Sequence, residues 1–174
     1  MDPVEEGWRG ETSVKVLFVH GLMSSPQGNK ARYLARRVDA RTPAMNTGDF
    51  RGCVAQQAAE IAAFQPDVVV GSSFGGAVVL QLLTEGAWRG PTLLLAQAAL
   101  KLDEDARLPD DLPVLLVHGR GDEVVPLRHS QTLAATSSRA KLVEVDDEHR
   151  LIELTRSDAL EDLIHQAKRL WESA

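Results

Sequence analysis

Apolar residues recur along this chain in two rhythms. Short unbroken runs stand at Val14–Val19, Val68–Val70, Thr92–Gln97, Val114–His118 and Lys141–Val145, with a weaker one around Arg37–Arg41. Runs such as VVV and TLLLA carry no polar alternation, which is how strands buried on both faces of a parallel sheet read. Between them the spacing changes to the helical period. Ala31, Leu34, Ala35 and Val38 follow it, as do Val54, Ala58 and Ile61, with Asp49 placed to cap the latter helix. Gly75–Glu85 reads as a helix closed by Gly86, and a short helix around Leu133 follows Pro126. Leu160, Leu163, Ile164, Ala167, Leu170 and Trp171 form the stripe of a final helix that begins near Ser157. Strands alternating with helices predict β-α-β units, hence an α/β three-layer α/β/α sandwich on a mostly parallel sheet of about six strands. Such sheets place ligands beyond the carboxyl ends of their strands, so the chemistry is to be sought in the loops that follow each strand.

Composition narrows the function. At 174 residues the chain is long enough for one domain. We assign Met1–Ser13 (residues 1–13) to an acidic N-terminal tail, with Trp8 expected to tack it down, and residues 14–174 to the domain. The balance of 19 basic and 25 acidic residues argues against nucleic acid as a partner, because neutralising phosphates needs a basic face. No apolar run reaches the ~18–20 residues of a membrane span, and the N-terminus lacks the basic and apolar regions of a signal peptide. Cys53 is the only cysteine, so no internal disulfide forms and a cytoplasmic location is expected.

One strand-to-helix junction carries a motif. Gly71-Ser72-Ser73-Phe74-Gly75 is G-x-S-x-G, preceded by an apolar strand and followed by a helix rich in small residues. In that context Ser73 is a candidate nucleophile, on a turn tight enough to need small flanking residues and facing the N-terminus of a helix. A serine needs a base and an acid to hold it. His149, in the loop after the last strand, is the candidate base. His129 and His165 lie in helices, and His118 ends a buried strand, where it reads as a packing or loop-shaping residue. Asp122, on the Gly119-Arg120-Gly121 loop one strand earlier, is the candidate acid, with Glu123 as runner-up. The order Ser73, Asp122, His149 is diagnostic of one fold. The loop after the first strand, His20-Gly21-Leu22, supplies an expected oxyanion donor, so that the Leu22 and Phe74 amides form the hole. The acidic run Asp146, Asp147, Glu148 beside His149 has no metal-ligand spacing, so no metal is expected.

These four separated parts resemble the α/β-hydrolase superfamily, over nearly the whole chain from Val14 to Trp171. The segments VHGLMSSPQGNKARYLA and VVVGSSFGGAVVLQLL resemble the small bacterial YqiA-like esterases, while HGRGDEVVPL is equally similar to carboxylesterase and dienelactone-hydrolase-like members. The resemblance implies a minimal hydrolase fold without a cap, since Ala98–Leu112 is short for one. It implies a small-molecule ester or thioester substrate of small to medium acyl length, an acyl-enzyme intermediate, and no organic cofactor. Peptidase or acyltransferase chemistry on the same three residues is the alternative, as is a non-catalytic binding protein on a hydrolase fold. Leu22, Met23, Met45, Phe50, Phe74, Leu100, Val124, Val125 and Leu127 are candidates for lining an acyl pocket.

Overall fold

The computed structural model describes residues 13–174, so the Trp8 expectation lies outside the described residues. In chain order they form β1 (Lys15–Val19), α1 (Asn29–Arg37), β2 (Asp39–Arg41), α2 (Phe50–Phe64), β3 (Val68–Ser72), α3 (Phe74–Thr84) and β4 (Thr92–Leu95). Then follow α4 (Ala99–Leu102), β5 (Val114–Gly119), α5 (Leu127–Ala134), β6 (Ala140–Val145), a 3₁₀ turn at Ile152–Thr155, and α6 (Ala159–Glu172). The sheet has six strands in the order β2-β1-β3-β4-β5-β6, all parallel.

The apolar runs are strands because both of their faces are covered. Alternate residues of β1 point opposite ways. Leu17 and Val19 join one core with α2, α3 and α5, through residues such as Val54, Val78 and Leu133. Val16 and Phe18 join a second core with α1 and α6, through Leu34, Leu160 and Ile164. Val68, Val69 and Val70 of β3 have no exposed surface at all. A fully buried side chain of this kind contributes roughly 1.5–3 kcal/mol. Only the edge strands escape this double cover, and β6 is half-buried along most of its length.

Local signals set the helix ends. Asp49 caps α2 by accepting a hydrogen bond from the Gly52 amide at 2.9 Å. Gly86 takes φ +75° just past α3, the left-handed conformation that ends helices. Val38, expected on the α1 stripe, instead closes that helix in extended backbone and packs on the second core. Two elements were not anticipated, the four-residue α4 and the 3₁₀ turn. Both are too short for periodicity to register.

The strand order places the site. From β1 the chain steps outward to β2, then crosses back through α2 to β3 on the other side of β1. The winding therefore reverses between β1 and β3, and a crevice opens at their carboxyl ends. The Gly21 loop leaves β1 at this crevice, and Ser73 leaves β3 at the same place.

Candidate active site

Ser73 sits alone between β3 and α3, at φ +54° and ψ −118°. A residue with a side chain avoids this region, and holding it there costs about 1–3 kcal/mol. The neighbouring backbone fixes it. The Ser73 amide donates to the Leu95 carbonyl at 2.9 Å, and the Ser73 carbonyl accepts from Gly76 and Ala98 at 2.9 and 3.0 Å. The turn can be this tight only because its flanks lack side chains. A Cβ on Gly75 would lie 1.9 Å from the Val19 carbonyl oxygen, and one on Gly71 2.6 Å from the Gly75 carbonyl oxygen.

Asp122 and His149 come from the loops after β5 and β6, and those two loops are joined to each other. Arg120 N–H donates to the Val145 carbonyl at 2.8 Å and Gly121 N–H to the Asp147 carbonyl at 3.0 Å. Arg120 also pairs with Asp146 at 2.6 Å. Leu151, two residues after His149, is fully buried at φ +49°, which turns the chain back under the histidine.

These constraints bring Ser73, His149 and Asp122 into one line. His149 Nε2 lies 3.0 Å from Ser73 Oγ, and His149 Nδ1 lies 2.8 Å from Asp122 Oδ2. A carboxylate accepts only, so Nδ1 carries the ring proton and Nε2 is left free to accept from the serine hydroxyl. The Asp122 side chain is completely buried. Its Oδ1 accepts from the Val124 and Val125 amides, both at 2.8 Å. Its Oδ2 also faces His118 Nε2 at 3.1 Å. Four donors therefore surround this carboxylate and fix its orientation. Glu123, the alternative acid, is exposed. His129 and His165 lie on α5 and α6 and take no part in this line.

Leu22 and Phe74 flank the serine. Neither amide has a hydrogen-bond acceptor among the described residues. A Cβ on Gly21 would lie 3.3 Å from the Ser73 Cβ, so the loop after β1 packs directly against the Ser73 side chain. His20 steadies that loop from below. It is buried, and its Nδ1 donates to the Gly21 carbonyl at 2.8 Å.

A cavity of about 370 Å³ opens beside Ser73 and His149. Of the apolar residues expected to line a pocket, Leu22, Met23 and Val124 do so. Val125 is instead wholly interior, and Phe50 lines a second cavity of about 590 Å³ between α2, α3 and α4. That larger space is not lined by Ser73, Asp122 or His149. Three residues of the site were missed in the sequence. Lys30 and Arg150 line the Ser73 cavity, and His118 touches Asp122. Arg150 follows the candidate base directly, and Lys30 belongs to the segment after the first strand, so both were within reach of a loop-by-loop reading. Among the described residues no group of three or more His, Cys, Asp or Glu side chains could hold a metal ion, and no helix is long and apolar enough to cross a membrane.

No protein-family model and no curated protein sequence matches the chain. Solved structures do match it. One is a protein of Xanthomonas campestris pv. campestris provisionally described as a hydrolase of the alpha/beta superfamily, with 24% identity and a TM-score of 0.72 over 88% of this chain and 99% of that one. The esterase domain of a Rhodothermus marinus protein is similar at 18% identity and a TM-score of 0.69, over 93% and 89% of the two chains. Est1E from Butyrivibrio proteoclasticus is similar at 18% identity and a TM-score of 0.67, over 91% and 87%. The six-stranded parallel sheet and its helices superpose on these structures over most of their length, so the chain has the fold of the α/β-hydrolase superfamily.

Proposed function

We propose that this protein is a serine hydrolase that cleaves carboxylic esters or thioesters through an acyl-enzyme. The observation that carries the reading is the hydrogen-bonded line from Ser73 through His149 to the buried Asp122, at 3.0 and 2.8 Å. Ser73 Oγ attacks the substrate carbonyl while its proton passes to His149 Nε2. Asp122 holds the imidazole by Nδ1–H and balances the charge that the ring acquires. The carbonyl oxygen becomes an oxyanion, received by the Leu22 and Phe74 N–H groups. The tetrahedral adduct then collapses, and the leaving alcohol or thiol departs with the proton from His149. Water repeats the sequence on the acyl-enzyme, its proton going to His149 and then to Ser73 Oγ as the acid is released. The names of the similar solved structures, one of which is called an esterase domain and another a hydrolase of the alpha/beta superfamily, agree with this class of reaction.

The test is covalent and kinetic. A fluorophosphonate should modify the protein on Ser73, located by peptide mass spectrometry. Ser73→Ala should abolish labelling and lower kcat on 4-nitrophenyl acetate by about 10⁶ if the three residues act as a unit. Asp122→Asn should lower it by about 10⁴, because the amide favours the wrong tautomer of His149. Modification at Ser72 instead, or full turnover by Ser73→Ala, overturns the assignment.

A further inference from the structure

The Ser73 cavity has a charge opposite to that of the molecule. The chain carries 25 acidic and 19 basic residues, yet the cavity lining includes Lys30 and Arg150 and not one Asp or Glu. Lys30 comes from the first turn of α1, and Arg150 follows His149. The two sides are joined, because Lys30 Nζ donates to the Arg150 carbonyl oxygen at 2.6 Å. That bond uses one of the three ammonium hydrogens. The other two have no acceptor among the described residues, and neither cation has a carboxylate within ion-pair distance there. Arg120 and Arg156, from nearby loops, do have such partners, Asp146 and Glu153, each at 2.6 Å. Asp147 acts on Lys30 through its charge, partly opposing Arg150, but forms no ion pair with it, and its two oxygens accept from the Glu148 and Glu153 amides at 2.8 and 3.0 Å.

Two neighbouring cations without an acid between them are an unfavourable arrangement. Burial, and then the Arg150 charge, bring the Lys30 ammonium from 10.5 down to about 8. A bound anion would relieve both effects. The same cavity is lined by Gly28 and Asn29, where α1 starts with no side-chain cap and no acid in its first turn. Its free amide ends thus add to the positive field.

Building on the hydrolase reading, we propose that the substrate is an anionic ester or thioester, carrying a carboxylate or phosphate within a few bonds of the scissile carbonyl, and that Lys30 and Arg150 hold that charge. A neutral ester would bring no charge to either cation and would leave them without an ion-pair partner in the cavity. A purely mechanical role for Lys30, tying α1 to the His149 loop, would affect all esters alike, and this separates the two explanations.

Three matched pairs read the preference, each an anion beside its neutral counterpart. Monomethyl and dimethyl glutarate place the charge on the acyl half. The acetates of 4-hydroxybenzoate and of its methyl ester place a carboxylate on the alcohol half, and 2-acetoxyethyl phosphate beside its dimethyl ester places a phosphate there. Hydrolysis by the full chain gives kcat/KM at pH 7 and low salt, and calorimetry on Ser73→Ala protein gives Kd. In at least one pair the anion should be preferred about tenfold or more, with the ratio falling toward one in 0.5 M NaCl, as screening of a partly solvated charge requires. Arg150→Met and Lys30→Met should each cut that ratio severalfold, and Arg150→Glu should invert it. Equal handling of all three pairs in both measurements overturns the proposal, as does a ratio untouched in both Met variants. Turnover without anion preference sinks the anion site alone. Anion binding by the Ser73→Ala protein, with no turnover by the unaltered chain, upholds the anion site and sinks the hydrolase reading.

Discussion

His118 has no exposed surface, yet both of its ring nitrogens are engaged. Nε2 faces the Val125 carbonyl at 2.8 Å and Asp122 Oδ2 at 3.1 Å. Both are acceptors, so Nε2 carries hydrogen and Nδ1 accepts from the Ser130 hydroxyl at 2.7 Å. Ser130 Oγ in turn accepts from Gln97 Nε2 at 3.0 Å, and Gln97 Oε1 from the Ala99 amide at 2.8 Å. A buried polar chain thus runs from beneath α4 to the carboxylate that holds His149, and each member fixes the orientation of the next. Replacing His118 by Leu should orphan several of these groups, at about 1–3 kcal/mol each. It should also loosen Asp122 and lower kcat about tenfold with KM little altered, since in the proposed mechanism Asp122 acts on the transition state through His149. His118→Gln keeps a donor at the Nε2 position and should recover most of kcat. Steady-state kinetics beside urea denaturation separates the effects, and a Leu variant that loses stability but keeps its kcat would make His118 a packing residue only. The sequence showed His118 as a buried strand end that packs or shapes a loop, without its contact to Asp122. Its contact with Asp122, four residues on, runs across a glycine-containing loop where no helical or strand period applies, so only the folded loop reveals it.

At the scale of elements, the junction of β3 and α3 is the least tolerant part of the fold. The start of α3 passes so close to the end of β1 that a Cβ on Gly75 would meet two main-chain carbonyls, Val19 at 1.9 Å and His20 at 2.6 Å. Neither can swing aside as a side chain would. Gly75→Ala should therefore cost at least about 3 kcal/mol, the range of overpacked or strained backbone sites, or prevent folding. Gly48→Ala, where the added carbon meets only the Asn46 side chain at 3.4 Å, should stay within about 0.5 kcal/mol of the unaltered protein. Urea midpoints of the two variants decide this, and equal stability would mean that α3 can shift away from β1. The strands themselves were legible because double burial leaves an unmistakable apolar run. The run at Val68–Val70 proved to extend through Ser72, and that at Thr92–Gln97 to end at Leu95, because Ala96 turns to φ +44°. Such ends are set by the approach of neighbouring elements, which no local pattern encodes. Lys30 and Arg150 each stood in a segment that a loop-by-loop reading covers, but no such reading shows that they meet in one cavity, since they lie 120 positions apart along the chain.

At the scale of the whole molecule, what matters is how little of the described residues covers the crevice. Between β4 and β5 the chain forms only the four-residue α4 and a polar turn before it re-enters the sheet at Val114. The mouth of the Ser73 cavity is left with Leu22 at 54%, Met23 at 99% and Val124 at 53% exposure, a thin apolar rim open to water. An acyl chain lying on that rim is only partly removed from solvent. Each methylene then contributes less than the ~0.8 kcal/mol of full burial, and less again as the chain runs outward over the exposed rim of the cavity. Among neutral 4-nitrophenyl esters, kcat/KM should rise over the first few carbons of the acyl chain and then flatten at short to medium length. No jump should occur as the substrate passes its critical micelle concentration, because activation at an interface requires a lid to move and expose the site. The measurement is kcat/KM from C2 to C16, taken below and above that concentration for the longer esters. Lengthening the chain past the plateau adds methylenes that stay in water in both the bound and the free state, so the slope there should be near zero. A steep rise through C12–C16 would require a deep apolar channel, and a discontinuity at micelle formation would require a moving cover over Ser73. Either result would contradict an open site of this size.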